Sequence, residues 1–283
     1  MPHLDIDSRV NRRRALALGG VTAGGLLSAG PLSAVAQASG ARARPQAGKL
    51  PAKRIQEIVG AEGTVSSGVL SIDIARKDIG DSKGPLGVTF TPSFEIDGTL
   101  TFQPLGHRLA FFNGDLPLRG RETNPFIDAI IANGLTFQAF HMHYIEMDPQ
   151  IWFIHWRGVG EPLRLARAVH NTLKATATPL PQKMPSHPKS PLDDKRLEKI
   201  LRGKASIGDE GVVTVNVNRR DRIVIDGIHV SPEANISTGI EFKPLAAKGS
   251  RAAVGPDFSL TGHEAQPVVR VMRDLGWFRE LSL

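Results

Sequence analysis

Apolar residues along this chain follow two periods, and both patterns return about 140 residues later. Ile55, Ile58 and Val59 share one side of a helical wheel, as do Leu197, Ile200 and Leu201. Each helix leads into two-residue alternation. Leu70, Ile72 and Ile74 alternate with Val69, Ser71 and Asp73, and Val213, Val215 and Val217 repeat the pattern. Residues 99–104 and 108–112 read as further strands. Phe126, Ile127, Ile130 and Ile131 form the stripe of another helix. Pro125 sits in its first turn, where a missing N–H costs nothing, and Gly134 stands where a left-handed cap closes it. Pro267 and Gly276 predict the same limits for a second such helix.

The return is a duplication. Residues 50–78 reappear at 192–221, Phe102-Gln-Pro-Leu as Phe242-Lys-Pro-Leu, and the segment 115–122 as 257–264, always at an offset of 140 to 143. The predicted fold is therefore α+β: two tandem units, each a mostly antiparallel sheet with one or two packed helices. Unit one spans 50–178, a Pro-rich linker 179–191, and unit two 192–283. The units differ after the second helix. Unit one continues through a hairpin (135–160) and a further helix (162–174). An offset of 142 maps His141 onto Leu283, so unit two is expected to be incomplete.

The N-terminal region reads differently. Arg12, Arg13 and Arg14 precede an uncharged Gly/Ala/Leu-rich run (18–32) and then Ala34–Val35–Ala36, the layout of a twin-arginine export signal over residues 1–36. Residues 37–49 are a flexible lead-in. The expected product is exported, periplasmic or extracellular, soluble, and without a membrane span once the signal is removed. With no cysteine it has neither a disulfide framework nor a site for lipid attachment. The net charge of +7 lies wholly in the first 54 residues, +2 in 1–36 and +5 in 37–54, so the body is neutral. A basic tail on a neutral body excludes a nucleic-acid surface. The expected partner is a small molecule or an envelope component.

Candidate chemistry concentrates in the hairpin, which holds three of the nine histidines. Side chains alternate faces along a strand, so His141 and His143 point one way. A turn about Asp148 sets His141 opposite His155, and the three imidazoles then share a face. Such a set suits a divalent Zn, Fe, Mn or Cu ion with an open position. Glu122 or Glu146 would be the fourth ligand or a general base for hydrolytic or oxidative chemistry. The competing reading makes the histidines hydrogen-bonded parts of a sheet in a non-enzymatic envelope module. Arg76–Asp78 and Arg219–Asp221 read as internal ion pairs. No nucleotide, flavin, phosphate-loop or serine-elbow motif occurs.

Taken together, Gly68-Val through Arg76-x-Asp78, Gly114-Asp115, Glu122-x-x-Pro125 and His141-x-His143…Asp148-Pro149…His155 resemble the LppY/LpqO family of exported, often duplicated bacterial proteins of unknown function. The resemblance covers about residues 50–283. It implies no activity or ligand, and places the family's recognisable polar residues at Glu122, His141, His143 and His155. This chain departs in having no cysteine to lipidate and no hairpin in unit two.

Overall fold

The computed structural model describes residues 48–277 apart from His187. The expected signal and most of the lead-in lie outside the described residues. The first copy contains α1 (Ala52–Val59), β1 (Thr64–Ser66), β2 (Val69–Ala75), β3 (Ser82–Lys83), β4 (Thr89–Phe90), β5 (Asp97–Pro104), β6 (Ala110–Arg119), α2 (Thr123–Ala132), β7 (Thr136–His141), β8 (Ile151–Gly160) and α3 (Pro162–Leu173). The second contains α4 (Asp194–Leu201), β9 (Lys204–Ile207), β10 (Val213–Val217), β11 (Ile223–Ile225), β12 (Ile228–Val230), β13 (Thr238–Pro244), β14 (Ala252–Asp257) and α5 (Gly262–Asp274). Elements α1 to α2 recur in order as α4 to α5. Among the described residues β7, β8 and α3 have no counterpart. The chain is thus a duplicated, mostly antiparallel α+β unit.

The first copy forms a six-stranded sheet, order β1-β2-β5-β6-β8-β7, and the second a four-stranded one, order β14-β13-β10-β9. Register lines up the apolar face: Leu70 beside Phe102 beside Phe112, and Ile72 beside Leu100 beside Gly114 beside Trp156. Ile55 and Val59 of α1, Phe126 and Ile130 of α2, and Leu165, Val169 and Leu173 of α3 cover this face. Trp156 meets Phe126 edge-on at 5.1 Å. Gly114 is required there, because a Cβ would stand 2.7 Å from the Phe112 ring and 3.0 Å from the Trp156 indole.

The opposite face meets the second copy, and each copy lends the other a cover. The arm between β2 and β5 puts Phe90, Phe94 and Ile96 against Val212 and Ala253 of the second copy, together with Met147, Ile151 and Phe153. The corresponding arm of the second copy puts Val230 and Ala234 against Val69 and Phe111. Polar contacts fix the crossing: Asn113 Nδ2 donates to Ala234 O (2.9 Å), Gln103 Nε2 to His229 O (2.8 Å), and Ser231 N to Gln103 Oε1 (2.7 Å).

One boundary differs from expectation. Helix α5 starts at Gly262, so Pro267 lies inside it. Thr261 and Glu264 form a capping box that starts the helix early. In the first copy the same stretch is a separate 3-10 turn, Gly120–Glu122. Gly134 (φ 69°) and Gly276 (φ 74°) are left-handed as expected.

Candidate functional site

Strand β8 pairs with β6 over its whole length, setting His155 beside Asp115 and Phe153 beside Pro117. Strand β7 pairs so that Ala139 faces His155 and His141 faces Phe153, with a bulge between Phe137 and Ala139. The expected partner of His141 was His155, two residues away. Met147 explains the difference. It is 6% exposed and anchored in the apolar cluster of the exchanged arm, so the turn centres on it rather than on Asp148. A displacement of two residues preserves parity, and the three histidines still share one face.

Their rings form a stack. His141 lies 4.9 Å from His155 with 12° between planes, and 5.3 Å from His143; His143 lies flat on Phe153 at 3.5 Å. Parallel rings present faces to one another and do not aim their nitrogens at a common point. Among the described residues no three or more His, Cys, Asp or Glu side chains are arranged to hold a metal ion. Burial, then the neighbouring His155 and His143, lowers the His141 pKa to about 4, so it is neutral at physiological pH. His143 shifts the other way. Burial opposes its charge, but the carboxylate of Glu95 and the nearby Asp257 and Asp115 outweigh that.

The two carboxylates expected beside the histidines differ in setting. Glu146 is exposed in the turn. Glu122 receives both oxygens' worth of contact from Arg76 Nη2 (2.9 and 2.8 Å) and accepts from Arg119 N (2.8 Å). Asp78 completes this network, and Arg219, Asp221 and Glu264 reproduce it in the second copy. Repetition of Glu122 as Glu264 therefore reflects a shared scaffold bracing strand end to helix start.

Beside the imidazole stack, the two sheets enclose a cavity of about 110 Å³. Its wall includes five carboxylates, Glu95, Asp97, Asp115, Glu241 and Asp257, with His143, and among the described residues neither Lys nor Arg lines it. Several lining residues are duplicates of one another: Asp115 with Asp257, Asp97 with Ser237, Glu95 with Asn235, Thr99 with Gly239, at the offset of the repeat. The cavity thus sits on the pseudo-twofold relation between the copies, while His143 and Phe153 come from the hairpin of one copy.

The carboxylates are closely set. Glu241 accepts from Glu95 N (3.1 Å) and Thr214 Oγ1 (3.3 Å). His143 Nδ1 lies 3.8 Å from Glu95 Oε2, and His155 Nε2 lies 3.8 Å from Asp115 Oδ1. Glu95 holds a left-handed backbone, φ 69°, uncommon for a non-glycine residue and typical of functional loops. A side chain at Gly255 would run into the Glu95 carboxylate, so glycine on β14 makes room for it. Burial raises the Asp115 pKa, partly offset by His155 and His143. Burial, followed by repulsion from Asp73, Glu95 and Asp115 for Asp97 and from Asp97 and Glu95 for Glu241, raises both well above the usual carboxylate range.

A family model described as Domain of Unknown Function (DUF1259) matches residues 53–175 and 195–277. The chain belongs to that family. The two matched segments carry one copy of the duplicated unit each, so a DUF1259 chain here builds its cavity from two family segments. No curated protein and no solved structure matches the sequence. No helix among the described residues is long and apolar enough to cross a membrane.

Proposed function

We propose that this DUF1259 protein is an exported binding module whose ligand is a small, positively charged species seated in the acid-lined cavity. The observation that carries the reading is five carboxylates around one cavity whose wall, among the described residues, holds neither Lys nor Arg and a single histidine, His143. Unit charges about 8 Å apart at an effective dielectric of 20 repel by about 2 kcal/mol per pair. Several such pairs rival the ~5–15 kcal/mol that holds a domain together. Protonation or a bound cation must relieve them. The LppY/LpqO resemblance and the Arg12-Arg13 signal support export.

Gly239 lines the cavity, and its would-be Cβ meets only Asn216 Oδ1, at 3.7 Å. Gly239→Leu should therefore fill the space without removing a charge. A panel of inorganic and organic cations is expected to raise the melting temperature of the wild type by several degrees and that of Gly239→Leu by less than one degree (on the order of a ligand at 100 times its Kd,). Equal shifts in both proteins, or none in either, would reject the cavity as a ligand site. Export is checked separately: the protein recovered from outside the cytoplasm should begin just after Ala36, and an intact Met1 there would contradict the signal reading.

A further inference from the structure

We infer that the species bound in this cavity is a divalent metal ion held by Asp115 of its wall, with His155, the strand partner of Asp115, as the nitrogen ligand and water in the remaining positions. The inference rests on the cavity being the ligand site and names what occupies it.

Asp115 is the group that points to an ion. It is 8% exposed, it lines the cavity, and its Oδ1 receives no hydrogen bond. A buried carboxylate oxygen without a donor carries a large desolvation cost, and native proteins leave few such atoms. His155 Nε2 stands 3.8 Å from that oxygen. This is beyond a hydrogen bond, but two donors on a common ion with bonds of about 2.0–2.2 Å stand roughly 3–4.2 Å apart. Strand pairing fixes the spacing, because Asp115 and His155 are direct partners between β6 and β8. Asp257, at the end of β14, is exposed and lines the same cavity, so it stands at the mouth through which an ion would arrive.

The cavity's size fits a partly hydrated ion. At about 30 Å³ per water, its volume of about 110 Å³ takes an ion with two or three retained waters. This accounts for the absence of three converging donors among the described residues: water would complete the shell. Mixed oxygen and imidazole donors favour Mn²⁺ or Zn²⁺ over Mg²⁺. His141, stacked on His155, would position that ring without touching the ion.

The test uses untagged full-length protein stripped with a chelator. Titration calorimetry with MnCl₂ and ZnCl₂, and elemental analysis after dialysis, are expected to give one ion per chain. Asp115→Asn should weaken binding at least ~10–100-fold, the loss typical when a group of a metal site is removed. His155→Ala should do likewise, and Asp128→Asn on the exposed side of α2 should change nothing. Circular dichroism confirms that each variant is folded, and Gly239→Leu replaces Asp115→Asn if the latter is not. Metal bound equally by wild type and Asp115→Asn would overturn the inference. Failure to take up metal, with putrescine or tetramethylammonium stabilising the wild type and not Gly239→Leu, would overturn the metal and leave the cavity reading intact. Failure of both probe classes would overturn both.

Discussion

Arg76→Ala is expected to destabilise the protein by about 3–5 kcal/mol, the usual result of removing one partner from a buried ion-paired network. The Arg76 side chain is fully buried. It donates to Asp78 through Nε (3.0 Å) and Nη2 (2.9 Å), to both oxygens of Glu122, and to the carbonyl of Pro117. Arg119 Nη1 adds a third bond to the Asp78 carboxylate (2.8 Å). Without Arg76 two largely buried carboxylates lose their main neutralising charge. The equivalent Arg219→Ala should cost far less, because Asp221 is 55% exposed and water screens the pair. The contrast between two copies of one network makes a control that most ion pairs lack.

The pH dependence follows from the same groups. Burial works against ionisation of Asp78 and Glu122, yet the Arg76 hydrogen bonds and charge outweigh it and hold both below their usual values. In the second copy Arg219, then Thr261, brings Glu264 to about 2. A depressed folded-state pKa contributes stability that is complete above the unfolded value, near 4 for a carboxylate, and is lost as pH falls through the folded value. The Arg76→Ala penalty should therefore be largest at neutral pH and shrink below about pH 4. Urea unfolding at pH 7 and pH 3 measures both. An equal penalty at the two values would show that the loss comes from packing and not from charge.

The architecture was legible where local pattern and global fold agree. Repeated apolar periods locate α1 and α4, β2 and β10, and the face on which the histidines lie. Parity survived because a pairing error of two residues does not change faces, whereas the register itself depended on the burial of Met147, a tertiary event. The acid-lined cavity was not legible for a related reason. Asp97, Thr99 and Asp115 occupy the polar positions of alternating strands, which in a lone sheet would face water. They become a cavity wall because the second sheet lies over them. A signal did exist: Asp115 and Asp257 are the same position of the repeat. Glu122 lies near the hairpin in sequence and recurs as Glu264, but repetition marks scaffold as readily as chemistry.

Separating the copies should abolish cooperative folding altogether. The first copy alone, residues 48–178, would expose Val69 and Phe111, which are 2% and 1% exposed in the whole protein, and would uncover Phe90, Phe94 and Ile96. Fully burying such side chains is worth about 1.5–3 kcal/mol each. Losing even half of that for five residues approaches the ~5–15 kcal/mol of a whole domain. Asn113 and Gln103 would also lose their hydrogen bonds to the second copy's backbone. The second copy is the weaker partner. Its helices α4 and α5 bury no residue fully, and Ile200, Val271 and Leu275 are exposed. Each fragment expressed alone is expected to bind an apolar dye and to unfold without a sigmoidal transition, and mixing the two should restore the transition. A fragment 48–178 that is monomeric and unfolds cooperatively, within about 2 kcal/mol of the intact chain, would show that the exchanged arms decorate two independent domains. The interlocked arrangement predicts the opposite. The cavity lies between the copies, so ligand binding and folding of the two halves should be gained and lost together.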